Sequence, residues 1–109
     1  GIYNDHSFFS KKTIKYFTNA HFKEQNNRRG VFFDKASLDS NNLNVYPGVS
    51  NLSYGHTGFT GTMAWIDPKE NIIYIFLSNR VYPNQDNWAL VKENIRTKVQ
   101  KVIYESLIK

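Results

Sequence analysis

The chain has no cysteine, one methionine, three prolines and six glycines in 109 residues. Without cysteine there are no disulfides and no thiolate metal sites, and every redox compartment stays open. No stretch approaches the ~20 apolar residues that a membrane-spanning helix needs. Charge of one sign never gathers. The net charge of +5 comes from 14 Lys and Arg against 9 Asp and Glu, spread along the chain. A nucleic-acid surface asks for a basic cluster. The basic residues near the C-terminus, Lys92, Arg96, Lys98 and Lys101, alternate instead with apolar ones and read as a solvated helix face. His6 and His21 have no supporting neighbours, and the three histidines lack the carboxylate spacing of a metal site, so neither metal nor cofactor is expected. There is no internal repeat and no low-complexity tract beyond a bias toward asparagine.

What is present suffices for a core. The chain is 40% hydrophobic and 16% aromatic, which argues against disorder, and its length allows one domain at most. Ser10 is a candidate N-cap for a two-turn helix over Lys11–Thr18, with Phe8 or Phe9 placed to staple onto Ile14. Val31–Asp34 reads as a short strand. Residues 35–51 are polar, carry Pro47-Gly48 near their end, and read as a mobile surface loop. Ser53–Ile66 reads as one strand with Met63 and Trp65 on one face and Ala64 and Ile66 on the other. The turn Asp67-Pro68-Lys69-Glu70-Asn71 leads into Ile72–Leu77, apolar on both faces, as a covered central strand would be. Asp86 or Asn87 can cap a last helix running to Lys109, whose stripe Trp88, Val91, Ile95, Val99 and Val102, extended by Ile103 and Leu107, has the spacing of a core face.

The expected fold is therefore α+β. An antiparallel sheet of Val31–Asp34, Ser53–Ile66 and Ile72–Asn79, in chain order, is covered on one face by the long C-terminal helix. One helical layer leaves the other face of such a sheet open. We expect that face to take the missing part of the same domain, or a second copy of the chain as a homodimer.

The most informative stretch is Tyr54-Gly55-His56-Thr57-Gly58-Phe59-Thr60-Gly61-Thr62. Glycines inside a strand mark a bulge or a close backbone approach. With His56-Thr57-Gly58, the Phe-Thr-Gly continuation, the hairpin and Leu77-Ser78-Asn79-Arg80, the stretch resembles the C-terminal part of the serine β-lactamase and penicillin-binding-protein superfamily. The nearest branch is that of class C-like esterases and D-alanyl peptidases, of the kind sometimes fused to family 3 glycoside hydrolases. The resemblance extends over residues 1–109, but its specific part runs from Tyr54 to Arg80.

The resemblance implies acyl transfer by a serine, with a Ser-x-x-Lys and a Tyr-x-Asn motif ahead of the third motif, His-Thr-Gly. It implies that His56 helps to move the tyrosine's proton and that Thr57 hydrogen-bonds a polar group or carboxylate of the substrate. Gly58 lets the substrate lie against the strand edge as an added strand, and the Phe59 N–H is one oxyanion donor. Two local matches to the other motifs are rejected. Ser106-Leu107-Ile108-Lys109 ends the chain on a helix terminus and follows the third motif. Tyr82-Pro83-Asn84 lies in a loop after the hairpin. The chain is thus expected to be the C-terminal portion, residues 1–109, of a β-lactamase-like domain whose nucleophile lies outside it, and to be inactive alone. Its opening residues Gly1–Asp5 have neither the basic start nor the apolar run of a signal peptide. A periplasmic or cell-envelope location is what the resemblance implies. Arg80 is expected to pair with a nearby acid, with a bidentate contact to a substrate carboxylate as the alternative. A structural histidine on an exposed strand is the plain reading of His56. The rival function is a non-catalytic module that binds an extended peptide or glycan along the same strand edge.

Overall fold

In the computed structural model, residues 1–25 and 27–107 are described. They divide into two compact units, Gly1–Lys35 and Ala36–Lys109.

The first unit opens with a hairpin of β1 (Ile2–Tyr3) and β2 (His6–Ser7). Its turn residues Asn4 and Asp5 both have positive φ, 47° and 61°, the geometry that suits a two-residue hairpin loop. Helix α1 spans Lys11–Thr18 as expected, and the Ser10 Oγ accepts from the Thr13 N–H at 3.0 Å. Residues 31–34 do not form the expected strand. The Gly30 N–H donates to the Phe33 carbonyl, the Val31 N–H donates to the Phe17 carbonyl, and Arg29 and Asp34 make a single isolated bridge. With these groups engaged locally, pairing does not extend beyond that one bridge. The buried Asp34 carboxylate sits 3.0 Å from Arg28 Nη1 and 3.3 Å from Arg29 Nε, and Phe32 stacks on Phe17.

The second unit holds an antiparallel sheet in chain order: β3 (Tyr54–Thr57), β4 (Met63–Asp67) and β5 (Ile72–Phe76). The single strand read over Ser53–Ile66 is two strands. The glycine-rich segment between them is itself a turn, closed by Gly58 N–H to the Thr62 carbonyl at 2.8 Å and Gly61 N–H to the Gly58 carbonyl at 3.0 Å. Gly61 adopts φ +94°, which side chains resist. Hence β4, not β5, is the middle strand of the described sheet.

Register fixes the two faces. One carries Met63, Trp65, Asp67, Ile72, Tyr74 and Phe76. With Val45, Val49, Ala36 and Ile103, its apolar members form the core. Gly55 pairs with Trp65, and a Cβ there would meet the Ala64 carbonyl oxygen and Trp65 Cε3, both at 2.3 Å. The indole fits only because position 55 has no side chain. The other face carries Tyr54, His56, Ala64, Ile66, Ile73 and Ile75, with Ile73 70% and Ile75 61% exposed.

The expected long helix is broken in two: α2 (Ala89–Lys92) and α3 (Ile95–Glu105). Asn94 lies between them in the left-handed region, φ 52° and ψ 37°, a conformation asparagine tolerates better than most residues. Ile108 and Lys109, the end of the expected helix, lie outside the described residues. The face of α3 turned to the core matches the predicted stripe only in part: Ile103 packs on the core, but the valines do not. Val99 and Val102 are exposed, while Gln100 and Tyr104 are buried. Polar contacts set this rotation. Gln100 Oε1 accepts from the Tyr46 N–H at 2.9 Å, the Tyr104 hydroxyl donates to Asp67 at 2.9 Å, and the Tyr74 hydroxyl donates to the Arg96 carbonyl at 3.0 Å. The segment read as a mobile loop is also built in. Val45 is buried, and Ser50 donates through its N–H and its hydroxyl to Asp67.

Candidate active site

The strand β3 forms one border of the sheet, so its outer edge has no neighbouring strand among the described residues. Alternation along β3 sends His56 and Thr57 to opposite faces. The His56 side chain is exposed on the open apolar face, opposite Ala64. Its Nδ1 lies 2.8 Å from the Thr57 carbonyl oxygen. A carbonyl can only accept, so Nδ1 carries the proton in this contact. In the neutral ring Nε2 is then the basic nitrogen. Thr57 turns toward the helical side. There it lines a small cavity of about 110 Å³ with Leu43, Leu90, Asn94, Arg96 and Thr97. The His-Thr pair is therefore split about the strand edge, with the imidazole on one side and a hydroxyl beside a guanidinium on the other.

Gly58 and Phe59 continue from β3 into the turn. The Phe59 and Thr60 N–H groups have no hydrogen-bond partner among the described residues. The carbonyls of the turn are all engaged. Gly58 O accepts from Gly61 N–H, Phe59 O from Arg80 Nε at 2.8 Å, and Thr60 O from the Arg80 N–H at 2.9 Å. Arg96 Nη1 reaches the Gly61 and Thr62 carbonyls at 3.4 and 3.3 Å. Carbonyls directed into the protein leave the N–H groups of the same peptides directed away from it, since a trans peptide sets the two groups opposite each other. The result is a short run of free donors at the end of an open strand edge, backed by two guanidinium groups. Burial lowers the Arg96 pKa from its ordinary value. The nearby Tyr74 works against that, and the charge of Arg80 adds to it. Free donors and nearby cations together favour a negative charge at this end of the strand.

Arg80 does not pair with an acid. It is buried, with its guanidinium 3.8 Å from the Trp88 ring centroid and 4.6 Å from that of Phe59. Its Nη1 donates to the Gln85 and Asn87 carbonyls at 2.9 and 3.1 Å. Sequence reasoning missed this arrangement. The one signal available was the neighbourhood of Phe59, Trp88 and an arginine, and nothing local to any of them says that they meet. The rejected motif matches stay apart from β3 in kind. Tyr82 is exposed in the loop after the sheet, and the Ser106 hydroxyl is bonded back to the Val102 carbonyl at 2.7 Å. Lys109 lies outside the described residues. Among the described residues, no three His, Asp or Glu side chains gather to hold a metal, and no helix is long and apolar enough to cross a membrane.

An open-edged antiparallel sheet with a covering helix is the α+β arrangement of a fragment of the β-lactamase-like fold. The β-lactamase family model matches residues 16–93, and the chain belongs to that family. Two relatives from Escherichia coli, one from O157:H7 and one from strain K12, are both described as "Putative D-alanyl-D-alanine carboxypeptidase". They are 32% and 31% identical to it over 84 residues. Each match covers 73% of this chain but 18% of the relative, so the chain corresponds to under a fifth of their length. No solved structure matches significantly.

Proposed function

We propose that this chain supplies the substrate-binding strand of a serine hydrolase that works by acyl transfer on an ester, amide, β-lactam or D-alanyl peptide, at the cell envelope. Residues 1–109 are the C-terminal portion of its β-lactamase-like domain. The nucleophile and its lysine come from sequence outside this chain. The observation that carries the reading is the combination at β3 of an exposed imidazole with a free Nε2 and, within three residues, the unpaired Phe59 N–H.

A substrate laid along the free edge of β3 meets His56 on one side and the Thr57–Arg96 cavity on the other. His56 relays the proton of the tyrosine that the rest of the domain provides. Thr57 and Arg96 take a carboxylate or other polar group. Gly58 keeps the edge clear, and the Phe59 N–H holds the developing oxyanion. In this reading the remainder of the domain covers the open face that carries Tyr54, His56, Ile73 and Ile75, with His56 between the two parts; the exposure of Ile73 and Ile75 supports it.

A chromogenic ester assay, on the chain and on the full-length protein that carries it, tests this. The chain alone is expected to be inert, because a constellation without its nucleophile loses several orders of magnitude in rate. In the full-length protein, His56→Ala should lower turnover by about 10²–10⁴-fold, and Thr57→Ala should act mainly on KM. Burst acylation by the chain alone would overturn the placement of the nucleophile. Peptide or glycan binding by the full-length protein without turnover would favour the non-catalytic module.

A further inference from the structure

Arg80 is a poor device for stability. It is 6% exposed, and its contacts are carbonyl oxygens and two aromatic rings, with no carboxylate among them. Its Nη2 is buried and has no hydrogen-bond partner among the described residues. A buried cation without a counter-ion and with an idle donor has its desolvation cost only partly offset. Its geometry nonetheless makes one part of the molecule stiff. The Nε holds the Phe59 carbonyl, the backbone N–H holds the Thr60 carbonyl, and the Ser78 hydroxyl adds a 3.3 Å contact to that same oxygen. The guanidinium plane is itself fixed by Trp88 on one ring contact, Phe59 on another, and the Gln85 and Asn87 carbonyls at Nη1.

We propose that Arg80 is a positioning residue for acyl transfer, acting through the Phe59–Thr60 peptide to aim the free N–H donors at the end of β3. The inference rests on the functional reading above. Fixing the Phe59 carbonyl fixes the plane of the 59–60 peptide, and with it the direction of the Thr60 N–H. The adjoining peptide is held by the Gly61 N–H on the Gly58 carbonyl, which directs the Phe59 N–H. The second hold is short-range and sits within the turn. The first comes from Arg80, 21 residues away in sequence, and ties the turn to the segment that carries Trp88. An ammonium group cannot reproduce this. Lysine has neither the planar fork that engages three carbonyls at once nor the flat face that lies against two rings.

The test compares Arg80→Lys and Arg80→Met in the full-length protein, with turnover corrected for the folded fraction at each temperature. Backbone ¹⁵N order parameters of Phe59 and Thr60 are followed alongside. Both variants should lower kcat by about 10²-fold, the size that misplacing or losing one oxyanion donor commonly has, with KM changed less than about threefold. The order parameters of the Phe59 and Thr60 amides should fall selectively, relative to amides of β4. A Lys variant with wild-type kcat would overturn the proposal, because charge alone would then suffice. A loss of stability with unchanged kcat per folded molecule and unchanged order parameters at Phe59 and Thr60 would also overturn it, leaving a purely structural arginine. If the wild-type full-length protein fails to turn over any acyl substrate, the functional reading falls by itself. The order parameters then still decide whether Arg80 holds the 59–60 peptide.

Discussion

Replacing Asp67 by asparagine should destabilise the protein by about 2–4 kcal/mol at neutral pH. The carboxylate is fully buried and takes five donors. Oδ1 accepts from the Ser50 hydroxyl at 2.5 Å, the Lys69 N–H at 3.1 Å and the Glu70 N–H at 3.4 Å. Oδ2 accepts from the Ser50 N–H at 2.7 Å and the Tyr104 hydroxyl at 2.9 Å. An asparagine keeps one oxygen. If its NH₂ takes the Oδ1 place, two backbone N–H groups lose their acceptor. In the Oδ2 place only the Ser50 N–H loses one, because the Tyr104 hydroxyl can turn and accept. The second orientation is the cheaper. It leaves one buried N–H unpaired, at about 1–3 kcal/mol, and weakens the remaining bonds by removing the charge that strengthened them.

Acid should erase the difference. Burial works to raise the Asp67 pKa, but the hydrogen bonds from Ser50, Tyr104 and Glu70 outweigh it and leave the pKa below its ordinary value. A carboxylate with a depressed folded-state pKa stabilises above its unfolded pKa of about 4 and loses that contribution as pH falls through the folded value. Wild type should therefore lose its margin over Asp67→Asn below about pH 4, while the variant itself depends less on pH there. Burial, and then the hydrogen bond to Asp67, raises the Tyr104 pKa, so this donor stays protonated throughout. Urea titrations followed by tryptophan fluorescence at pH 7 and pH 3 read both effects. A cost under about 1 kcal/mol at pH 7, or a gap that widens in acid, would refute the reasoning.

Gly55→Ala should destabilise by about 1–3 kcal/mol or more, because its Cβ would meet the Ala64 carbonyl and the Trp65 ring; thermal unfolding with unchanged Tm would refute this. Gly58→Val should abolish turnover in the full-length protein. Since a Cβ at 58 also meets Thr62 Oγ1 at 2.2 Å, the measurement is made in a Thr62→Ala background, where recovered activity would sink the claim that the edge must stay clear. Ile73→Lys with Ile75→Lys should leave the unfolding of the chain alone within about 0.5 kcal/mol, as surface changes do. The same pair should lower the Tm and solubility of the full-length protein, and an indifferent full-length protein would show that nothing covers that face.

The sequence by itself determined α1, the β4–β5 hairpin and the family. Ser10 and the run after it specify α1, because a cap and a helical run are properties of neighbours along the chain. The Asp67–Asn71 turn and the apolar runs around it specify the β4–β5 hairpin, and the His-Thr-Gly stretch is legible as a motif because its residues are contiguous. Wherever the outcome depended on residues distant in sequence, only the tertiary structure decided it. Residues 31–34 have strand composition, yet their backbone bonds are taken by Phe17 and by their own turn. The valine stripe of the last helix has ideal core spacing, yet Tyr46, Asp67 and Tyr74 reach Gln100, Tyr104 and the Arg96 carbonyl and turn the other face inward. Arg80 carries no local sign of its task, since the carbonyls and rings that hold it are contributed by Phe59, by the 85–87 segment and by Trp88. Periodicity records which residues can share a face. Which face is buried follows from hydrogen bonds formed across the fold, and those are absent from any local window of the sequence.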